Sequence, residues 1–119
     1  MALIAVDFDN TINNNFDIKP GERFSKPFPD AANILQAFRA DGHRIMIYSC
    51  NRQKWVEEWM NHWNLPYDYI WEGTKPICDV YIDDRAVGFR GNWVQTYKDV
   101  NEILEARGAI GSSKGLHGL

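Results

Sequence analysis

Four carboxylates, a serine hydroxyl and a lysine ammonium stand beside short apolar runs in this chain. They come in the order Asp7-Phe8-Asp9-Asn10-Thr11, then Ser49, then Lys75, then Asp83-Asp84. Carboxylates can act as nucleophiles and as proton donors or acceptors, while a hydroxyl and an ammonium hold anions. Carboxylates crowded without partners repel one another by kilocalories at low effective dielectric. A divalent cation relieves that repulsion, and a donor set made only of oxygen favours magnesium. Taken singly these residues say little: Asp83-Asp84 could be a turn, and serine after a strand is common.

The elements around them decide whether they meet. Leu3 to Val6 is a continuous apolar run, the pattern of a strand covered on both faces, and it runs straight into Asp7. Ile45-Met46-Ile47-Tyr48 repeats the pattern and ends at Ser49, and Val80-Tyr81-Ile82 ends at Asp83-Asp84. Tyr69 to Trp71 reads as a short strand, and Phe89 with Trp93-Val94 as one more short extended segment. Helical spacing predicts a helix capped by Asp30 and running to about Ala40, with Ile34, Leu35 and Phe38 on one face and Gly42 as its stop. A second helix over residues 52 to 63 has a stripe of Trp55, Val56, Trp59, Met60 and Trp63, read as core packing. A third runs from about Tyr97 to Arg107 with Val100, Ile103 and Leu104 inward. Residues 12 to 29 are polar and broken by Pro20, Gly21, Pro27 and Pro29, the composition of a flap outside the core.

Strands alternating with helices predict an α/β fold with a mostly parallel, Rossmann-like sheet, three-layered with helices on both faces. In such sheets reactive groups gather at the carboxyl ends of the strands, and each of the three clear strands ends in a polar residue there. One domain over residues 1 to 110 with a flexible tail at 111 to 119 is expected.

The ordered set Asp7-Asp9-Thr11, Ser49, Lys75 and Asp83-Asp84 resembles the haloacid dehalogenase superfamily of phosphohydrolases. That family has DxDx[T/V] after its first strand, Ser or Thr after the second, then Lys, then an acidic pair. The resemblance spans Leu3 to about Trp93. It implies a magnesium-dependent phosphomonoester hydrolase in which Asp7 is the nucleophile and Asp9 the general acid and base. It further implies that Thr11 fixes the turn of the two aspartates, that Ser49 and Lys75 hold the phosphate, and that Lys75 steadies Asp7. Cys50, Asn51 and Arg52, directly after Ser49, share the phosphate-binding assignment, as does Thr11. The metal would take the Asp7 carboxylate, the Asp9 main-chain carbonyl and the pair Asp83-Asp84, with Asp84 the direct ligand. Residues 12 to 48 and 50 to 74 leave no room for an inserted cap domain. The resemblance therefore implies a capless member that acts on extended substrates or borrows a neighbouring subunit as a lid. Ser49-Cys50-Asn51-Arg52 and Ile82-Asp83-Asp84-Arg85 also look like the phosphatase half of polynucleotide kinase–phosphatases. That similarity points to nucleotides or nucleic-acid ends, with Arg52 and Arg85 as phosphate contacts.

Bulk properties narrow the classes. The net charge is −3 without a block of like charges, so a protein that coats duplex nucleic acid is not expected. No apolar run reaches the ~20 residues that span a bilayer, and the first residues read as a buried strand and not a secretion signal. Cys50 and Cys78 lack metal spacing and are expected as reduced thiols in a cytoplasmic protein. His43, His62 and His117 share no ligand spacing, and Lys19, Arg23 and Lys26 are read as solvated. Two other functions use similar parts. A receiver-like phosphorylation switch has its acidic pair first and its lysine last, opposite to the order here. A phosphate-binding domain without turnover would be expected to lack a motif residue, and none is missing.

Overall fold

The structure is a computed structural model and describes residues 1–108, so the expected tail at 111 to 119 lies outside the described residues. Two compact units divide the chain, Met1–Asp84 and the residues from Arg85 onward. In the first unit, strands β1 (Leu3–Asp7), β4 (Arg44–Tyr48), β5 (Tyr69–Trp71) and β6 (Val80–Ile82) form a four-stranded sheet in the order β5-β4-β1-β6. All three pairings are parallel, with Asp7 opposite Tyr48 and Val6 opposite Ile82. The helices of this unit are α1 (Ala31–Ala40) and α2 (Gln53–His62), and a two-stranded antiparallel ribbon pairs β2 (Asn13–Asn14) with β3 (Lys26–Pro27). The protein is thus a small α/β fold on a parallel sheet. Among the described residues, no helix is long and apolar enough to cross a membrane.

Alternation along the strands builds the core. Ile4, Val6, Ile45 and Ile47 join Phe8, Ile12, Leu35, Val56, Trp59, Met60 and Leu65 in one buried cluster. Ala5 and Met46, which face the other way, are buried as well. Phe8 is fully buried against Trp59, edge to face with ring centroids 5.1 Å apart. That anchor falls between Asp7 and Asp9 and fixes where both emerge.

Several local expectations are corrected. Asp30 precedes α1 but lies in the left-handed region and makes no side-chain cap. Ile34 is about half exposed, so Leu35 and Phe38 form the inward stripe of α1 without it. Gly42 does end the helix, at φ +90°, with its N–H on the Arg39 carbonyl. Trp93-Val94 is not extended: in the second unit α3 runs Trp93–Ala106, because the Asn92 side chain accepts from the Gln95 N–H and starts the helix earlier than the apolar spacing suggested. None of its residues is fully buried.

The flap also departs from expectation. Its polar composition suggested a segment outside the core, yet Ile12, Asn13 and Ser25 are buried. The Ser25 carbonyl accepts two indole N–H groups, from Trp59 in α2 and from Trp63 at its C-cap, each at 2.9 Å. Phe24 stacks on both Trp55 and His62, at 5.0 and 4.4 Å between centroids. Arg23 reaches Glu58 at 2.9 Å across a solvated surface, where an ion pair adds little. Far from being loose, the returning half of this segment is latched onto α2. Replacing Trp63→Phe removes one of two donors on a carbonyl that keeps the other, so urea denaturation should show a loss of about 1 kcal/mol.

Candidate active site

The sheet order places the chemistry. From β1 the chain winds outward to β4 and β5, then returns to the opposite side of β1 as β6. The reversal lies between β1 and β6, and α/β sheets bind ligands beyond the carboxyl ends of their strands at such a point. Asp7 ends β1, and Asp83-Asp84 come directly after β6. One carboxylate oxygen from each of Asp7, Asp83 and Asp84 lies within 4.8 Å of the others, and all three residues are half-buried.

Thr11 ties the first of these to the last. Its Oγ1 lies 3.2 Å from Asp7 Oδ2 and 3.3 Å from Asp84 Oδ1, and it accepts the Asp84 N–H at 3.2 Å. The loop that presents it is held by the Phe8 carbonyl, which accepts from the N–H groups of Thr11, Ile12 and Asn13. One hydroxyl proton cannot satisfy two carboxylates at once. Burial, then the charge of Asp83 and a hydrogen bond with Asp84, push the Asp7 carboxyl from 3.8 up to about 7, against the opposing pull of Thr11. A cation among these oxygens would offset the same repulsion, so the donor set fits a hard, oxygen-seeking divalent ion.

Asp9 faces a different set of partners. Its Oδ1 accepts from Asn51 Nδ2 at 2.9 Å and Asn15 Nδ2 at 3.1 Å. Its Oδ2 accepts from Asn51 Nδ2 at 2.8 Å and from the Ser49 hydroxyl at 3.1 Å. Ser49 and Asn51 are thus brought to the site, where both bond to Asp9. Cys50 is an exposed free thiol, and Arg52 is exposed at the start of α2.

Lys75 occupies a place the sequence did not suggest. Its Nζ lies over the Tyr81 ring, 4.3 Å from the centroid, and among the described residues no ion pair joins it to Asp7. Tyr81 meets Tyr48 edge to face at 6.1 Å, and the Tyr48 hydroxyl donates to Asp83 at 2.7 Å. Burial and this bond to a carboxylate raise the Tyr48 hydroxyl above the ordinary tyrosine range, so it remains a donor. Lys75 is therefore one aromatic ring away from the group that holds Asp83.

Sequence reasoning missed two residues here, Tyr48 and Asn15. Tyr48 was counted only as a strand residue, although the last side chain before a strand-end motif is the natural place for a supporting donor. Asn15 was absorbed into a polar segment, yet each asparagine from 13 to 15, with Asn10, makes a specific bond. Asn13 Oδ1 accepts the Asn10 N–H, Asn10 Oδ1 accepts the Asn15 N–H, and Asn14 Oδ1 accepts the Phe16 N–H. Asn10 itself sits at φ +58°, a conformation asparagine tolerates.

No protein-family model matches this chain, and no curated protein matches it by sequence. Among solved structures, it is similar to a conserved protein from Bacteroides thetaiotaomicron. The TM-score is 0.58 at 26% identity, over 85% of this chain and 90% of that one. A structural-genomics target from Vibrio cholerae aligns with a TM-score of 0.47 at 22% identity, over 90% of this chain and 99% of the other.

Proposed function

We propose that this protein is a capless phosphomonoester hydrolase of the haloacid dehalogenase type, working through an aspartyl-phosphate on Asp7. The observation that supports it most is the Thr11 hydroxyl set between Asp7 and Asp84, beside Asp83, at the strand ends where the sheet order reverses. The finer architecture belongs to the same proposal: a three-layer, Rossmann-like sheet with helices on both faces, supported by the burial of Ala5 and Met46 opposite the main core.

Asp7, Asp83 and Asp84 would hold magnesium, together with the Asp9 main-chain carbonyl. When bound, the ion neutralises phosphate charge and keeps Asp7 ionised and able to attack. The Asp7 carboxylate forms a bond to phosphorus as the bond to the leaving oxygen breaks. Asp9 gives its proton to that oxygen and then takes one from the water that cleaves the acyl phosphate, releasing inorganic phosphate. Lys75 leaves the face of Tyr81 to meet the phosphate, and Ser49 offers its hydroxyl to the same group. Such positioning and charge neutralisation provide most of phosphoryl-transfer catalysis.

The substrate proposed is a phosphorylated metabolite, a nucleotide or a phosphorylated nucleic-acid end, with Arg52 as a phosphate contact and a neighbouring subunit as lid. A cytoplasmic location goes with this proposal. Steady magnesium-dependent turnover of p-nitrophenyl phosphate is expected. A long-lived phosphoaspartate without turnover would replace the hydrolase with a receiver-like switch. A panel of nucleotides, sugar phosphates and 3′-phosphorylated oligonucleotides, assayed with magnesium, then selects the substrate class.

A further inference from the structure

We infer that Asn15 is a positioning residue for Asp9, so that the β2–β3 ribbon governs how well the leaving group receives its proton. The inference rests on the proposed hydrolase, in which Asp9 is the proton donor.

Asp9 is gripped from two separate elements. Ser49 and Asn51 come from the loop between β4 and α2, and between them they bond to both oxygens. Asn15 comes from the 3-10 turn Asn15–Asp17 at the tip of the ribbon and takes Oδ1 alone. Without Asn15, Oδ1 keeps only its bond from Asn51, and the carboxylate loses the partner that the ribbon supplies.

The backbone of the turn is closed by groups other than the Asn15 side chain: the Asn15 N–H goes to Asn10 Oδ1, and the Phe16 N–H goes to Asn14 Oδ1. Asn15 is exposed, and its amide donates to Asp9. The platform beneath it is firm, because Asn13 is buried and pairs with Pro27 across the ribbon, while Ser25 is latched to Trp59 and Trp63. A rigid ribbon that presents one exposed amide to one carboxylate is an arrangement for orienting that carboxylate.

In the first half-reaction, the phosphorus–oxygen bond to the leaving group breaks as the Asp7 oxygen bonds to phosphorus, and the Asp9 proton goes to the leaving oxygen. A well-oriented donor matters for an alkyl phosphate, whose alkoxide departs only when protonated. It matters little for p-nitrophenyl phosphate, whose phenolate departs unprotonated. The comparison is made on kcat/KM, which ends at leaving-group departure and excludes the later attack of water.

Asn15→Ala, assayed on an alkyl phosphate and on p-nitrophenyl phosphate with magnesium, should lose about tenfold or more on the first and less than about threefold on the second, the size expected for a misplaced group. Its thermal midpoint should match the parent protein. Asn15→Asp, which keeps the size but sets a carboxylate against Asp9, should show the same selective loss and serves if the alanine variant folds poorly. Equal losses on both substrates, or no loss on either, would overturn the role of Asn15. Asp9→Asn separates this role from the hydrolase proposal beneath it. A selective loss in Asp9→Asn with none in the Asn15 variants removes only the role of Asn15. No selective loss in Asp9→Asn removes the proton-donor role of Asp9 and that of Asn15 with it.

Discussion

Asp7→Asn should abolish phosphomonoester hydrolysis and at the same time make the magnesium-free protein more stable at neutral pH. On the proposed mechanism the first effect comes from losing the attacking oxygen, and a fall of at least about a thousandfold in kcat is the scale seen for nucleophiles. The second comes from the site itself. Burial and the neighbouring acids raise the Asp7 carboxyl from 3.8 to about 7 in the folded state. A folded-state value above the unfolded one means that the folded protein holds the proton more tightly. Its stabilising contribution is therefore complete below pH 3.8 and drains away as pH rises toward 7. The rise from 3.8 to about 7 corresponds to roughly 4 kcal/mol at most, and screening at a half-exposed site reduces this to about 1–2 kcal/mol. Asparagine carries no charge to bury, so the variant should lose this decline. Denaturation at about pH 5 and about pH 8 without magnesium checks it, on either side of most of the Asp7 titration. A variant no more stable than the parent at the higher pH would mean that Asp7 is not strained by its neighbours.

Magnesium should act on the same strain from the other side. Added to the parent protein at about pH 8, it should raise the thermal midpoint by roughly 10 °C, since ligand at about a hundredfold its Kd contributes about 2.7 kcal/mol and a domain of this size gains roughly 4 °C per kcal/mol. At about pH 5 the shift should shrink, because the ion must then displace a proton from Asp7. Asp84→Ala should lose most of the shift at both pH values, along with activity, which chelation should also remove. Equal stabilisation of the parent and Asp84→Ala would place the ion elsewhere.

The parts of this site visible in the sequence were those attached to continuous apolar runs. β1 and β4 announce themselves through Leu3 to Val6 and Ile45 to Tyr48, and the residues after such a strand must emerge at its end, so Asp7, Asp9 and Ser49 could be placed together. Asp83 and Asp84 were legible for the same reason, although β6 is only three residues long. Contacts across the fold were less legible. Nothing in the spacing says that Lys75 rests on Tyr81, because a loop lysine has many equivalent rotamers and its partner is chosen by tertiary packing. Likewise, proline and asparagine in residues 12 to 29 signal turns correctly but do not reveal that one carbonyl, that of Ser25, will collect two indole donors. Trp93-Val94 misled because two apolar residues fit either period, and the cap at Asn92 decided the matter.

The pairing of β1 with β6 also bears on how the protein is made. Leu3 to Asp7 leave the ribosome well before the partners of Asp7 at positions 83 and 84, which emerge only after β4, α2 and β5 have had time to assemble. A nascent chain can therefore build most of its sheet while the acidic pocket is still open on one side. Electrostatic strain is thus introduced as the last strand of the first unit joins, when enough of that unit's core exists to withstand it.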